Sequence, residues 1–417
     1  MVLAMLASTF AFSQHRFTLG GDLSMLPQYE SAGTSYKNTK GRNIKVDMLE
    51  FFRDEAKMNA VRVRLFVTPN PDEAQNGVVQ DLEYVKTFGK RIKDAGMDFL
   101  LDIHYSDTWA DPSNQLVPSS WYTGTLDRSN PTNAALIDSV YSYTKRCLVY
   151  LSENGATPDF VQIGNEISYG MLWRTATDRC YSSSTTSTWL RFTNLLSSAA
   201  KAVREVTPKA KIVLHIERSG DAAAAKSFYQ KMETAGVDYD VIGLSYYPFW
   251  HGYLPTLSAT LTTLEEAFPT KPVHIVETAY YYQSFPEAGS NGFTYNTTET
   301  WPATVAGQQA FIEDLCTELA QHKNVKGLYY WFPEENGNGA KATVLRAWLN
   351  RGLFDNDSHK MNAGLLKLQN FLTEKEANDP EEPEEPKEEV LGDLDGDGLV
   401  TVEDIALLIA FYLEEAK

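Results

Sequence analysis

The sequence contains few cysteines, and they form no recognisable pattern. Cys147, Cys180 and Cys316 are the only three in 417 residues. An odd number at these spacings fits neither a disulfide framework nor a metal-binding motif. We therefore expect the three thiols to be structural, with at most one bridge among them.

Long apolar runs and basic tracks are also missing. No stretch approaches the ~20 apolar residues that cross a bilayer, and a formal net charge of -18 offers no basic track for nucleic acid. We predict neither a membrane span nor a nucleic-acid partner. Residues 1–13, MVLAMLASTFAFS, resemble the apolar core of a secretory signal, although the usual positive leading segment is missing. We expect a secreted, cell-surface or periplasmic protein.

The acidity is concentrated near the C-terminus. Residues 374–417 contain 16 acidic and three basic residues, a charge of -13, which leaves -5 for the preceding chain. The Pro/Glu tract in residues 374–390 cannot bury enough apolar surface to fold, and its like charges keep it extended. We predict a globular domain over 14–373, an acidic linker over 374–390 and a short separate element over 391–417.

Runs of β-branched and aromatic residues alternate with longer amphipathic segments through the predicted globular domain. This alternation is typical of βα units around a parallel sheet. Eight strands are predicted, at residues 16–23, 60–67, 98–104, 159–166, 211–217, 240–247, 272–278 and 325–332. Segments with apolar residues at helical spacing lie between and after them. The pattern predicts an α/β fold of the (β/α)8, or TIM barrel, type with enlarged loops.

Acidic and amide side chains end two of the predicted strands, where the active site of such a barrel lies. Asn165 and Glu166 end the fourth strand, and Glu277 ends the seventh, across the mouth of the barrel. Two carboxylates about 5–5.5 Å apart hydrolyse glycosides with retention through a covalent intermediate. We assign Glu166 as acid/base, Glu277 as nucleophile and Asn165 as a partner of the sugar 2-hydroxyl. This chemistry needs no cofactor.

Five further side chains are expected to line the same mouth. Arg62 faces inward on the second strand and is expected to keep the nucleophile ionised through a charge-assisted pair. His104 is expected to hydrogen-bond the sugar, and Trp109 to stack on it. The hydroxyl of Tyr247 is expected to touch the nucleophile, and the indole of Trp331 to form the floor under the reacting sugar.

Six segments of the chain together resemble glycoside hydrolase family 53, the endo-β-1,4-galactanases of clan A. They are GTSYKNTKG, NAVRVRLFV, DIHYSDTWADP, IGNEI, LSYYPF and ETAYYY, in this order. The resemblance covers about residues 16–372, and HYSDTWADP is highly specific. It implies retaining endo-hydrolysis of β-1,4-galactan, the side chain of pectin known as type I arabinogalactan. It also implies the two glutamate roles given above, with Arg62, Asn165, Trp109, Tyr247 and Trp331 around the cleavage point.

The chain departs from the family pattern in two places. The family leads us to expect a tryptophan-containing turn after the fifth strand, but this chain has HIERSGDAAAA, which places Glu217 there. Some bacterial members hold calcium between the loops after strands seven and eight. Here the segments SFPEAGSNGFTYNTTETW and PEENGNGA supply no clear ligand set.

The C-terminal segment contains a calcium-loop pattern, DLDGDGLVTVED. Oxygen ligands occupy loop positions 1, 3, 5, 7, 9 and 12, and Gly398 at position 6 allows the sharp turn. The predicted ligands are Asp393, Asp395, Asp397, the Leu399 carbonyl, Thr401 and Asp404. The segment resembles one half-repeat of a dockerin, whereas a complete dockerin has two. We predict a structural calcium ion here and, as a hypothesis, a cohesin-like or other protein partner.

Two alternatives remain open from the residues alone. Another clan A endo-glycosidase, such as a mannanase or cellulase, would carry the same pair of strand-end glutamates. A non-catalytic carbohydrate-binding barrel is the other alternative, and the presence of both glutamates speaks against it.

Overall fold

A computed structural model describes residues 16–122, 131–283, 301–337, 350–378 and 405–406. The chain divides into two compact units, Met1–Asn378 and Asp379–Lys417. The predicted signal at 1–13 and all the predicted calcium ligands from Asp393 to Asp404 lie outside the described residues. Among the described helices, none is long and apolar enough to cross a membrane.

Eight parallel strands close into a barrel in chain order, which confirms the predicted TIM-barrel fold. The first strand pairs with both the second and the eighth, so the sheet has no free edge. The strands are Thr18–Asp22 (β1), Ala60–Leu65 (β2), Asp98–Ile103 (β3), Phe160–Ile163 (β4), Lys211–Ile216 (β5), Val241–Tyr246 (β6), Val273–Thr278 (β7) and Val325–Trp331 (β8).

Amphipathic helices cover the outside of the barrel and bury their apolar faces against the sheet. Several start at a capping side chain, as Asp81 accepts from Tyr84 N and Thr304 from Gly307 N. The described α-helices are Leu26–Ser31 (α1), Met48–Glu55 (α2), Leu82–Asp94 (α3), Asn133–Glu153 (α4), Thr186–Val206 (α5), Ala222–Thr234 (α6), Pro248–His251 (α7), Leu254–Ala267 (α8), Val305–Ala320 (α9), Gly364–Lys367 (α10) and Asn370–Asn378 (α11).

Two predicted boundaries differ from the structure. Helix α11 continues to Asn378, so residues 374–378 belong to the barrel unit and not to the predicted linker. The reason is that Lys375 is buried and donates to the carbonyl of His322 at 2.8 Å. Strand β4 ends at Ile163 and not at Glu166, because the chain turns sharply at Gly164. All three cysteines are buried and free, within the expected limit of one bridge.

The inward face of the sheet has an apolar layer with a polar layer above it. The apolar layer is a separate cluster of buried side chains: Ala60, Leu100, Phe160, Val213, Val241, Val276 and Tyr329. Two residues further along β2, β3, β4 and β5, the side-chain alternation of a strand places Arg62, Asp102, Gln162 and His215 on the same face. All four are buried, so the site above rests on a hydrogen-bonded polar layer.

A bulge in β7 lies next to the catalytic candidate on that strand. Ile275 pairs with Leu244, but the following pair is Glu277 with Ser245, so β7 contains one extra residue, Val276. The register with β8 shifts over the same stretch. Because a bulge re-aims the side chains beside it, Val276 packs in the interior while its neighbour Glu277 reaches the cleft.

Candidate active site

The carboxyl ends of the strands surround a cleft of about 710 Å³. Six of the eight predicted site residues line it: Trp109, Asn165, Glu166, Tyr247, Glu277 and Trp331. The other two, Arg62 and His104, are buried. Residues from several different strand ends and loops therefore meet in one place, as the predicted barrel required.

Glu166 is presented by a strained turn after β4. Gly164 has φ +102°, and a Cβ there would lie 2.8 Å from Cγ2 of Ile167. Glu166 itself has φ +48°, a left-handed conformation that costs about 1–3 kcal/mol for a residue other than glycine. The hydroxyl of Ser245 donates to Oε1 of Glu166 at 2.6 Å and fixes its orientation. The strained backbone thus directs this carboxyl group into the cleft.

Glu277 is held by two donors. The Arg62 guanidinium lies 2.9 Å from Oε1, and the Tyr247 hydroxyl donates to Oε2 at 3.0 Å. Both partners are almost completely buried. Charge-assisted hydrogen bonds of this kind favour the ionised carboxylate. The geometry is therefore the one expected for Arg62 and Tyr247 from the sequence.

Arg62 lies at the centre of the polar layer. Its Nη1 donates to Asp22 at 2.8 Å, and its Nη2 donates at 2.8 Å to both Asp102 and Asn165. Burial alone would lower the pKa of Arg62, but the charges of Asp102, Glu277 and Asp22 raise it above its usual value. A permanently charged guanidinium in this position connects Asn165 to the carboxylate of Glu277.

The surroundings of the two glutamates place a shared proton on Glu166. Burial raises the pKa of Glu166 well above its usual value, and the negative charges of Glu277 and Glu217 add to the rise. Burial also raises the pKa of Glu277, but the Arg62 guanidinium opposes it. We therefore assign the proton to Glu166, which no salt bridge contacts within the described residues. An acid beside a carboxylate is the pairing that glycosidic cleavage requires.

The structure gives His104 a different role from the predicted sugar contact. Its Nε2 lies 3.0 Å from Asp102, and its Nδ1 accepts from the backbone N–H of Ala110 at 3.0 Å. Both ring nitrogens are thus used within the protein, and the ring is buried. His104 therefore fixes the loop that carries Trp109 and does not point a free nitrogen at a substrate.

Two tryptophans form an aromatic wall of the cleft. The rings of Trp109 and Trp331 have centroids 6.3 Å apart. The Arg64 guanidinium lies 4.4 Å from the centroid of Trp109, and the Trp109 indole donates to the carbonyl of Asn76 at 3.0 Å. Trp109 is half-buried and Trp331 is buried, so each is fixed by the protein before any ligand binds. Flat apolar faces of this kind suit the C–H faces of a sugar ring.

The cleft and its fold have a clear match among known proteins. The family model described as glycosyl hydrolase family 53 matches residues 18–366. The chain belongs to glycosyl hydrolase family 53. An arabinogalactan endo-beta-1,4-galactanase of Cellvibrio japonicus is 36% identical over 340 residues, which cover 80% of this chain and 84% of that protein. A probable arabinogalactan endo-beta-1,4-galactanase A of Neosartorya fischeri is 36% identical over 77% of this chain and 85% of its own length.

A solved structure agrees with the assignment to family 53. The catalytic domain from Ignisphaera aggregans superposes with a TM-score of 0.73 at 30% identity, covering 85% of this chain and 96% of that chain.

Several side chains of this family 53 site were not predicted from the sequence. Ser245 and His215 are inward-facing strand residues that contact Glu166 or its neighbour. Arg218, in a turn after β5, and the half-exposed Trp250, in the short helix α7, also line the cleft. The alternation along β5 and β6 would have identified the first two as inward-facing, because each lies two positions from a residue of the apolar layer or from Tyr247. Arg218 and Trp250 lie in segments of only three and four residues, too short to show a periodic pattern in the sequence.

The structure offers no metal site among the described residues of the barrel. In that part of the chain, no group of three or more His, Cys, Asp or Glu side chains is arranged to hold an ion.

Proposed function

We propose that this chain is a retaining endo-β-1,4-galactanase that hydrolyses the galactan backbone of type I arabinogalactan. The observation that supports it most is the pair of unlike carboxyl groups in one cleft. Glu277 is paired with Arg62 at 2.9 Å, whereas the side chain of Glu166 has, among the described residues, only a neutral hydroxyl donor at 2.6 Å. The named activity of the relatives from Cellvibrio japonicus and Neosartorya fischeri supports the choice of substrate.

In the first step Glu277 attacks the anomeric carbon of the sugar. A bond forms between this carbon and a carboxylate oxygen, and the bond to the glycosidic oxygen breaks. Glu166 gives its proton to that oxygen, so the leaving sugar departs as an alcohol. Arg62 donates to the side-chain oxygen of Asn165 at 2.8 Å, and the Asn165 amide nitrogen donates to the Ala110 carbonyl. These two hydrogen bonds hold the Asn165 amide beside the position of the sugar 2-hydroxyl. A contact to this hydroxyl strengthens in the transition state.

In the second step water replaces the enzyme ester. Glu166 now removes a proton from water, the hydroxyl attacks the anomeric carbon and the bond to Glu277 breaks. Two displacements restore the original configuration. Because the charge of Glu277 is neutralised in the intermediate, the pKa of Glu166 falls and the group becomes a base when it has to act as one.

Substrate and mechanism are tested together by reducing-sugar release from potato galactan, mannan and carboxymethylcellulose. We expect cleavage of galactan alone, and a loss of at least about 10³-fold in E277A, because a missing nucleophile removes the main path. E265Q changes a half-buried glutamate outside the cleft, on α8, and is the control for loss of a buried acid. Undiminished activity of E277A would remove Glu277 from the mechanism, and preferred cleavage of mannan or cellulose would identify another clan A specificity.

We further propose that the protein is secreted and that residues 391–417 bind one structural calcium ion and a protein partner. Support for secretion comes from the apolar start of the chain, and support for calcium from the spacing of Asp393, Asp395 and Asp397. Support for a partner comes from the apolar helix face predicted after the loop, which a single half-repeat cannot bury by itself.

A further inference from the structure

The turn after β5 brings a fixed arginine into the cleft at the place where the sequence departs from the family pattern. Residues Arg218–Gly220 form a single 3-10 turn. Glu217 Oε1 accepts from the Ser168 hydroxyl at 2.6 Å and pairs with Arg218 Nε at 3.0 Å. The guanidinium also lies 4.5 Å from the ring centroid of Tyr169. An ion pair on one edge and a ring beneath therefore hold it in one orientation.

The remaining donors of this guanidinium are available to a ligand. Nη1 and Nη2 of Arg218 make no hydrogen bond within the described residues, and the side chain is 26% exposed. Holding the guanidinium in place has a free-energy cost, because Oε2 of Glu217 is buried and has no hydrogen-bond partner among the described residues. An exposed arginine that is oriented at this cost indicates a binding function for its guanidinium group.

Arg218 stands on the side of the cleft that receives the leaving sugar. The leaving oxygen must lie beside the acid, Glu166, which follows β4, and Arg218 follows the adjacent strand β5. The hydrogen bond from Ser168, two residues after Glu166, to Glu217 joins the two loops directly. Glu277 and its partner Arg62 belong to other strands, β7 and β2, and bind the sugar that is attacked.

A second cavity of about 270 Å³ continues from this point. Arg218 and Tyr169 line both the cleft and this cavity. Its wall also includes Tyr181, which is 41% exposed and whose ring centroid lies 5.2 Å from that of Tyr169. An exposed aromatic face in a cavity that shares Arg218 and Tyr169 with the cleft is a platform for a further sugar ring.

We infer that Arg218 binds hydroxyl groups of the first sugar on the leaving-group side, and that Tyr181 in the second cavity stacks on the next sugar along the chain. The ligand is a neutral galactose chain at least two units long. Glu217 is a positioning residue, since it acts by orienting Arg218. This assignment rests on the proposed retaining mechanism, in which the enzyme ester formed by Glu277 is released to water or to another sugar.

Transfer from the enzyme ester to an added sugar measures this binding directly. A 4-nitrophenyl β-1,4-galactobioside donor forms the ester and releases nitrophenol. An acceptor hydroxyl then attacks the anomeric carbon, its proton goes to Glu166 and the bond to Glu277 breaks. Water attacks the ester through the same steps. A change in the basicity of Glu166 therefore affects transfer and hydrolysis alike and leaves their ratio unchanged. As an acceptor, the single sugar galactose is expected to contact only Arg218. The second sugar of galactobiose is expected to contact Tyr181 as well.

We expect R218A to lower the transfer ratio about tenfold with both acceptors, the loss that a charge-assisted hydrogen bond supplies. Y181A is expected to lower it with galactobiose and not with galactose. E217Q should give an intermediate loss with both acceptors. R42A, an exposed arginine outside both cavities, is the matched control. An unchanged ratio in R218A would overturn the subsite, and an unchanged galactobiose ratio in Y181A would overturn its extension. Absence of nitrophenol release by the wild type would instead refute the proposed function.

Discussion

The hydroxyl of Ser245 lies 2.6 Å from Oε1 of Glu166 and 2.8 Å from Nε2 of His215. Burial, and next the charge of Arg62, lower the pKa of His215 well below its usual value, so the imidazole is neutral. A neutral ring that donates from Nε2 to Ser245 leaves the serine hydroxyl to donate to Glu166. This orientation reserves the other carboxyl oxygen of Glu166 for the proton that is given to the leaving sugar.

Removal of this hydroxyl is expected to shift the pH dependence of the enzyme. The hydrogen bond from Ser245 lowers the pKa of Glu166, against the effects of burial and of the charges of Glu277, Glu217 and Asp111. In S245A the pKa of Glu166 therefore rises further. Because Glu166 acts as an acid while protonated, the basic limb of the kcat/KM profile on galactan should move up by about one pH unit.

Two comparisons make the S245A measurement decisive. S198A removes another buried serine hydroxyl, one that donates to the Ile137 carbonyl outside the cleft, and should leave both limbs in place. S245T keeps a hydroxyl and should restore the wild-type basic limb. A basic limb that stays in place or moves down in S245A would contradict the role given to this hydroxyl.

Replacement of Glu166 by glutamine is expected to stabilise the folded barrel at neutral pH. The folded-state pKa of Glu166 is raised, chiefly by burial and then by the charge of Glu277. A carboxyl group with a raised pKa contributes stability below its unfolded pKa of about 4.3, and this contribution is lost as the pH rises through the folded pKa. E166Q avoids that loss, which amounts to about 1.4 kcal/mol for every pH unit that separates the folded and unfolded pKa values.

Thermal unfolding followed by circular dichroism at several pH values checks this expectation. E166Q should have a Tm higher than that of the wild type by about 2 °C or more at pH 8, and the difference should vanish near pH 4. E153Q changes an exposed glutamate at the end of α4 and should show no such trend. A lower Tm of E166Q throughout this range would show that ionisation of Glu166 does not destabilise the folded barrel.

A glycine variant separates the geometry of the β4 turn from glycine effects in general. In G164A the new Cβ would lie 2.8 Å from Ile167 Cγ2 at φ +102°, so the turn must move and displace Asn165 and Glu166. G236A also has a positive φ, +68°, but no atom lies within 4 Å of its Cβ. We expect both to lose about 1 kcal/mol or more of stability, and only G164A to lose at least tenfold in kcat. Equal activity of the two variants would contradict the importance of this turn.

The sequence predicted the barrel and the placement of Glu166 and Glu277 in one cleft, but not the contacts that shift the pKa values of these two residues. Strand periodicity and eight repeated βα units predict the barrel, and the strand ends then identify Glu166 and Glu277. The contacts that hold Glu277 depend on the bulge at Val276. A bulge within a run of apolar residues does not alter the hydrophobic pattern from which a strand is predicted. The position of His104 after a strand predicts a sugar contact, yet its ring is used by Asp102 and Ala110. The hydrogen-bond partners of a buried polar side chain lie on other strands, and the spacing of residues in the sequence does not predict which of them it contacts.

The calcium loop is a prediction that depends on sequence alone. In the full-length protein, isothermal titration should show one calcium ion bound at millimolar or lower concentrations, the range of extracellular modules with this loop. D395A/D397A removes the ligands at positions 3 and 5 and should abolish the binding while galactan hydrolysis is retained, because the loop lies in the unit that begins at Asp379. D379A, an acid outside the loop in the same unit, should bind calcium as the wild type does. Calcium binding that survives in D395A/D397A would place the ion elsewhere in the chain.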